Sequence, residues 1–236
     1  MAQRIVIIKK SFYILFFIIS IVNKLFSQDY IVQVEDRNKA IELISLSETL
    51  IENNEIDKAY STIVESINID STFRPAYLYL FKIFTLNNHY ADKVLALLIK
   101  GRSIYKDDDE LSFYIAEIYR MKPEYDKAKL EYNKAIYFSK INGENFPLVY
   151  SYYFNRGNCF MKLNQIDSAI MDYTNSIRLK PNYPNSYYNR GICYYTKKSI
   201  EKACDDWSIS YKLGNNNAKI YIDKFCKATN NNKCTK

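Results

Sequence analysis

Five cysteines, one histidine, a run of four acids and a twice-repeated Arg–Asp spacing are the residues of this 236-residue chain whose types invite chemistry. The cysteines are Cys159, Cys193, Cys204, Cys226 and Cys234, and no two of them form the C-x-x-C spacing of a redox dithiol. Cys204 stands 10 residues before Gly214 and Cys226 stands 12 after it, so an antiparallel hairpin turning at Gly214 would bring the two side by side. A Cys204–Cys226 disulfide is the expectation. Cys159 and Cys193 read as buried thiols, and Cys234 is left over in the tail. His89, in the turn Asn87-Asn88-His89, has no second ligand nearby in the chain and reads as a solvated turn residue rather than a metal ligand. Asp107-Asp108-Asp109-Glu110 lacks the spacing and the glycine of a calcium loop. Asp109 and Glu110 suit a helix N-terminus, where a carboxylate meets the positive end of the dipole.

Arg156 precedes Asp172 by 16 residues, and Arg190 precedes Asp206 by the same 16. Their recurrence reads as two structural ion pairs, one across each helical hairpin. The competing reading is anion binding in a groove. No constellation here supports catalysis, and no cofactor or metal is expected.

Composition says which elements must position these residues. The chain is 48% hydrophobic and 25% charged, which fits a folded protein. It has only five Gly and five Pro but 23 Tyr and 13 Phe. So few turn formers exclude a many-stranded sandwich or barrel and favour long helices with short connections.

Laid against itself, the chain repeats. YYFNRGNCF at 152–160 aligns with SYYNRGICY at 186–194 at a shift of 34, which also carries Ala169 to Ala203, Asp172 to Asp206 and Tyr173 to Trp207. A period of 34 with two helices per unit marks a helical repeat array. Small residues form two ladders, Ala59, Val94, Ala128, Ala169, Ala203 and Ser66, Gly101, Ala135, Ser176, Ser210. Both climb by 35, 34, 41 and 34 residues. Small side chains at fixed rungs let neighbouring helices approach while large ones fill the gaps. The long step places about seven extra residues near 140–147. Val94 and Lys82, each where a small residue is the rule, make the second repeat the poorest match.

Tyr153, Gly157, Phe160, Ala169, Tyr173 and Pro181 occupy the large, small, aromatic, small, aromatic and Pro positions of the tetratricopeptide signature. Over about residues 39–214 the sequence resembles secreted bacterial tetratricopeptide-repeat proteins. The resemblance implies an all-α, right-handed α-solenoid of about five helix-turn-helix repeats. Residues 215–228 read as a C-terminal capping helix, because a solenoid must cover its last open face. Residues 229–236 read as a disordered tail. The resemblance also implies that the first helices line a concave groove, whose residues here would be Glu110, Phe113, Glu117 and Arg120, then Phe154, Asn155, Asn158 and Lys162, then Asn185, Tyr188, Asn189 and Tyr195. Asparagines can hydrogen-bond an extended peptide backbone, and aromatics add area at low entropic cost. Some of these rings would instead pack between helices.

The N-terminus has a basic stretch (Arg4, Lys9, Lys10), an uncharged run from Phe12 to Val22, and Leu25-Phe26-Ser27 as a cleavage site. Residues 1–27 read as a secretory signal peptide, with an uncleaved membrane anchor as the alternative, and 28–38 as a linker. Removal of residues 1–27 leaves 29 bases against 26 acids, so the whole-chain charge of +7 falls to +3. The remaining charges are interspersed along the chain, and a nucleic-acid partner is not expected. The resulting expectation is a non-catalytic scaffold or assembly factor in an extracytoplasmic compartment, periplasmic or secreted, with a protein or peptide partner. A carbohydrate- or envelope-binding module, or an accessory subunit of an enzyme complex, is the alternative.

Overall fold

The computed structural model describes residues 33–144 and 147–226. The signal-peptide, tail and Cys234 expectations lie outside the described residues. Among these residues there are eleven α-helices and no strand. They are α1 (Val34–Glu52), α2 (Ile56–Ile69), α3 (Arg74–Leu86), α4 (Ala91–Ile104), α5 (Asp109–Met121), α6 (Tyr125–Ile141), α7 (Val149–Lys162), α8 (Ile166–Leu179), α9 (Pro184–Thr196), α10 (Ile200–Lys212) and α11 (Asn216–Phe225). Each odd helix pairs with the even helix that follows it, giving five hairpins. The hairpins stack in chain order, and α11 covers the last. The fold is an all-α solenoid. α1 begins at Val34, within the stretch read as linker: Glu35 and Asp36 favour a helix N-terminus, and Arg37 is anchored on Asp70 and Thr72 of the next connection.

Local sequence sets the turns. Asn54, Asn164 and Lys198 follow the first helices of their hairpins in left-handed backbone, at φ of 61°, 57° and 60°. The next residue's N–H then closes back onto the helix, as in Glu55 to the Leu50 carbonyl (2.8 Å), Gln165 to Phe160 (2.8 Å) and Ser199 to Tyr194 (2.9 Å). Gly214 ends α10 in the same way at φ 98°, with Asn215 N–H on the Ser210 carbonyl (3.0 Å). The second hairpin departs from this scheme. A 3-10 turn, Asn88–Tyr90, replaces the left-handed residue, and the Asn87 side chain accepts from the His89 N–H at 3.0 Å. Lys82 is exposed there. It occupies the position of Gly157 in sequence, but Gly157 is buried and Lys82 is not.

Large and small residues interlock in the core. All ten rungs of the two ladders are buried. Three serine rungs also bond across helices: Ser66 to the Ala40 carbonyl (3.0 Å), Ser210 to the Pro184 carbonyl (2.9 Å) and Ser176 with Ser186 (2.8 Å). Gly157 and Gly191 face the rings of Tyr173 and Trp207. A methyl group added at Gly157 would sit 2.8 Å from Tyr173 Cε1, and one at Gly191 would sit 2.6 Å from Trp207 Nε1. The largest buried side chains include Trp207, Tyr77, Tyr132, Tyr152 and Tyr173. Each tyrosine hydroxyl finds an acceptor, which removes the cost of burying it. Tyr77 donates to the Ser71 carbonyl (2.9 Å), Tyr152 to Asp109 (2.9 Å), Tyr173 to Asn158 (2.8 Å) and Tyr132 to Glu117.

Candidate functional site

The first helices α5, α7 and α9 share one hydrogen-bonded side-chain network. It starts at Arg120, whose guanidinium donates to Glu117 at 2.6 Å and 3.3 Å. Glu117 also accepts from Asn155 Nδ2 at 2.7 Å. Asn155 Oδ1 accepts from Asn158 at 3.3 Å, and Asn158 Oδ1 accepts from Asn189 Nδ2 at 2.8 Å. From the second helices, Tyr132 reaches Glu117 and Tyr173 reaches Asn158. Glu117 and Asn158 are equivalent at the 41-residue step, as are Tyr132 and Tyr173, so a single tyrosine-to-polar contact occurs twice.

These contacts set the electrostatics. Burial pushes the Tyr132 hydroxyl well above its ordinary value, and the Glu117 charge adds to that, so it stays protonated and donates. Burial disfavours the Arg120 cation, but the bond and charge of Glu117 outweigh it and hold the guanidinium charged. Glu117 is only 7% exposed and serves Arg120, Tyr132 and Asn155 together. It is therefore an organiser of the face rather than an open groove contact, which corrects the sequence expectation. Phe113 is corrected likewise: it is buried against Tyr152, with ring centroids 4.7 Å apart. Glu110 is taken by Arg74 (2.8 Å) and Tyr114 (2.6 Å).

Asn155, Asn158 and Asn189 are half-buried. Asn155 keeps a second amide N–H, and Asn189 Oδ1 accepts no bond among the described residues. Lys162 is exposed, one turn beyond Asn158. Asn185 is exposed, donates to Tyr183 Oη (3.3 Å) and accepts from Asn215 (3.2 Å). The three aromatic candidates are half-buried and packed. Phe154 meets Tyr183 edge-on at 5.1 Å, Tyr188 meets Tyr221 edge-on at 5.4 Å, and Tyr195 lies 4.4 Å from Phe225. Tyr188 and Tyr195 seat the capping helix, because α11 takes the place of a sixth first helix and needs apolar partners. They are packing groups, not open stacking platforms.

The Arg–Asp spacings form bidentate pairs. Arg156 meets Asp172 at 2.8 Å and 2.7 Å, and Arg190 meets Asp206 at 2.8 Å through both nitrogens. Each arginine has a third contact to the preceding repeat, Arg156 to Asn133 (2.8 Å) and Arg190 to Thr174 (3.0 Å). Cys204 and Cys226 are joined by a disulfide with Cα atoms 5.7 Å apart. Cys159 and Cys193 are buried thiols, and burial pushes each up to about 12. His89 is exposed in its turn, and Asp108 caps α5 by accepting from the Leu111 N–H at 2.9 Å.

Some participants were not legible in the sequence. Arg74, which bonds both Asp108 and Glu110, has no counterpart at the repeat spacing. Tyr173 entered the sequence reading only as an aromatic position and Tyr132 not at all, although their recurrence at the 41-residue step was a usable signal.

The tetratricopeptide model "TPR repeat" matches residues 157–198, from the second half of α7 through α9 and the turn beyond. Solved structures share the fold at low identity. PilF of Pseudomonas aeruginosa aligns at TM-score 0.67 and 15% identity, over 83% of this chain and 90% of its own. YrrB, described as a TPR protein with an unusual peptide-binding site, aligns at TM-score 0.62 and 17% identity, over 81% and 95%. MamA aligns at TM-score 0.63 and 17% identity, over 73% and 96%. Comparison with curated proteins found no match.

Proposed function

We propose that this chain, a tetratricopeptide-repeat protein, is a non-catalytic scaffold that holds an extended polypeptide segment across its first helices in an extracytoplasmic compartment. The observation that carries this is the amide network Asn155–Asn158–Asn189, fixed from below by Glu117 and Tyr173. Side-chain amides locked in orientation present donors and acceptors to a peptide backbone without the ordering cost of free side chains. Lys162 at the rim offers one charge for a carboxylate. That YrrB is described as having a peptide-binding site accords with this reading. Sugar stacking is less favoured, because Phe154, Tyr188 and Tyr195 are packed by neighbouring rings. The N-terminal targeting pattern and the Cys204–Cys226 disulfide support an oxidising compartment.

The test is selection of a random displayed-peptide library on the wild-type protein, followed by affinity measurement on Asn155→Ala/Asn189→Ala. Two lost hydrogen bonds should weaken the selected peptides by roughly tenfold or more. Peptides that bind both proteins equally, with the variant's melting unchanged, would rule out this face. N-terminal sequencing of the exported protein tests the compartment: Met1 intact in a cytosolic fraction would contradict it.

A further inference from the structure

A second surface lies on the edge formed by the last three connections between repeats. These connections adjoin one another in order. Glu144, after α6, lies 3.7 Å from Arg178 at the end of α8. Tyr150 at the start of α7 meets Tyr183, before α9, with centroids 4.9 Å apart. Asn185 in α9 bonds Asn215, before α11, at 3.2 Å. Through residues 137–144, 147–150, 178–187 and 211–220, these last three connections carry Lys140, Arg178, Lys180, Lys212 and Lys219 against Glu144. They border the acidic connection Asp107–Glu110, which Asn142 meets at the Asp107 carbonyl (3.2 Å) and Asp109 (2.9 Å), and whose Asp108 and Glu110 are paired with Arg74. In the sequence these bases are scattered a repeat apart. The solenoid collects them.

Helix dipoles explain part of the pattern, since Lys140, Arg178 and Lys212 lie in the last turns of their helices. They do not explain Lys219, which lies one turn into α11, at the end where a dipole disfavours a cation. Nor do they explain the aliphatic side chains beside the bases. Ile141 is 60% exposed, Leu148 39%, Leu213 37% and Ile220 64%, each within a turn of a helix end on this edge. Tyrosines lie among them: Lys180 stands 4.2 Å over Tyr150, and Lys219 stands 5.3 Å over Tyr211.

We propose that this edge is a peripheral docking surface for an anionic lipid bilayer. Bases attract the headgroups, exposed aliphatic tips enter the acyl boundary, and tyrosines sit at the level between them. A nucleic acid would leave Ile141 and Ile220 in water, so charge and apolarity together favour lipid. Among the described residues no helix is long and apolar enough to cross a membrane, so this edge would lie on the bilayer rather than enter it as a span.

The experiment is flotation of the full chain with phosphatidylcholine vesicles, with and without phosphatidylglycerol. The lysine variant keeps the same apolar and basic N-terminal residues, so the change in the ratio of the two partition constants between wild type and variant cancels their lipid affinity. Wild-type protein should prefer the phosphatidylglycerol vesicles, less so at high salt. Lys140→Gln/Lys212→Gln/Lys219→Gln should lower that ratio on the order of a hundredfold. Ile141→Ser/Ile220→Ser should weaken binding to the anionic vesicles as well. All three lysines and both isoleucines are exposed, and circular dichroism with Trp207 emission verifies that the variants fold. An unchanged ratio in the lysine variant would overturn the proposal. So would a lysine-dependent preference that the isoleucine variant keeps in full and that heparin abolishes, because that pattern describes a general polyanion site.

Discussion

At the residue scale, close approach is the feature most open to test. Gly191 lets Trp207 lie against the α9 backbone and donate from Nε1 to the Tyr188 carbonyl at 3.2 Å. Gly191→Ala gains about 1 kcal/mol of helix propensity but forces the indole to move. Overpacking should prevail, with a net loss of about 1–3 kcal/mol in urea unfolding followed by Trp207 fluorescence. The ion pairs respond differently. Burial pushes the Asp206 carboxyl above its ordinary value against the opposing pull of Arg190, so the pair stands on its bidentate geometry. Arg190→Ala strands a carboxylate that is 5% exposed and should cost about 3–5 kcal/mol. Arg190→Met with Asp206→Leu should come near wild-type stability, measured in the same titration. The 16-residue spacing was readable because both partners recur together. Arg74 was not, since its partners lie on the next repeat and only stacking brings them together.

At the element scale, the capping helix is the shortest of the described α-helices. α11 has ten residues, too few to persist as a helix alone. It is held by Tyr221 and Phe225 on Trp207, at 4.9 Å and 6.1 Å, and by Cys204–Cys226. The disulfide closes a loop with a sequence separation of 22. Cys226→Ser, or a reductant, should therefore cost about 3 kcal/mol and shift the Trp207 emission to the red as the cap frays. Hydrogen exchange should localise the loss to α11 and leave α5 to α8 protected. The hairpin turns belong to this scale too. The turns at Asn87-Asn88-His89 and Gly214 were marked in the sequence, whereas the left-handed residues Asn54, Asn164 and Lys198 and the 3-10 form of Asn88–Tyr90 were not. The cause of the 3-10 form is the packing of Tyr90 against Tyr60 and its bond to Asp57, both on the preceding repeat.

At the scale of the whole molecule, the two ends of the solenoid should respond oppositely to acid. Burial works to raise the Asp70 carboxyl, but bonds from Thr72 and Arg37 outweigh it together and leave it below its ordinary value. Its stabilisation is present above the unfolded carboxylate value and is lost as pH falls through the lowered folded one. Asp172 and Asp206 are raised by burial, so their contribution is fullest below the unfolded value and declines as pH rises through the folded one. Acidification from neutral should therefore loosen α1 before α7 to α10, as read by exchange protection at successive pH values. Equal loss along the chain would contradict this linkage.

The sequence by itself determined the helical class, the number of hairpins and the small-residue rungs, because these rest on local period and side-chain size. The Arg–Asp pairs were legible for the same reason, and so was the approach of Cys204 to Cys226 across one turn. Only the tertiary structure decided the rest. Whether Glu117 opens to a ligand or braces Asn155, and whether Tyr188 faces solvent or the cap, depends on neighbours a repeat away. The basic edge is the clearest case. Its charges are dispersed along the chain and meet only when stacking sets one connection beside the next.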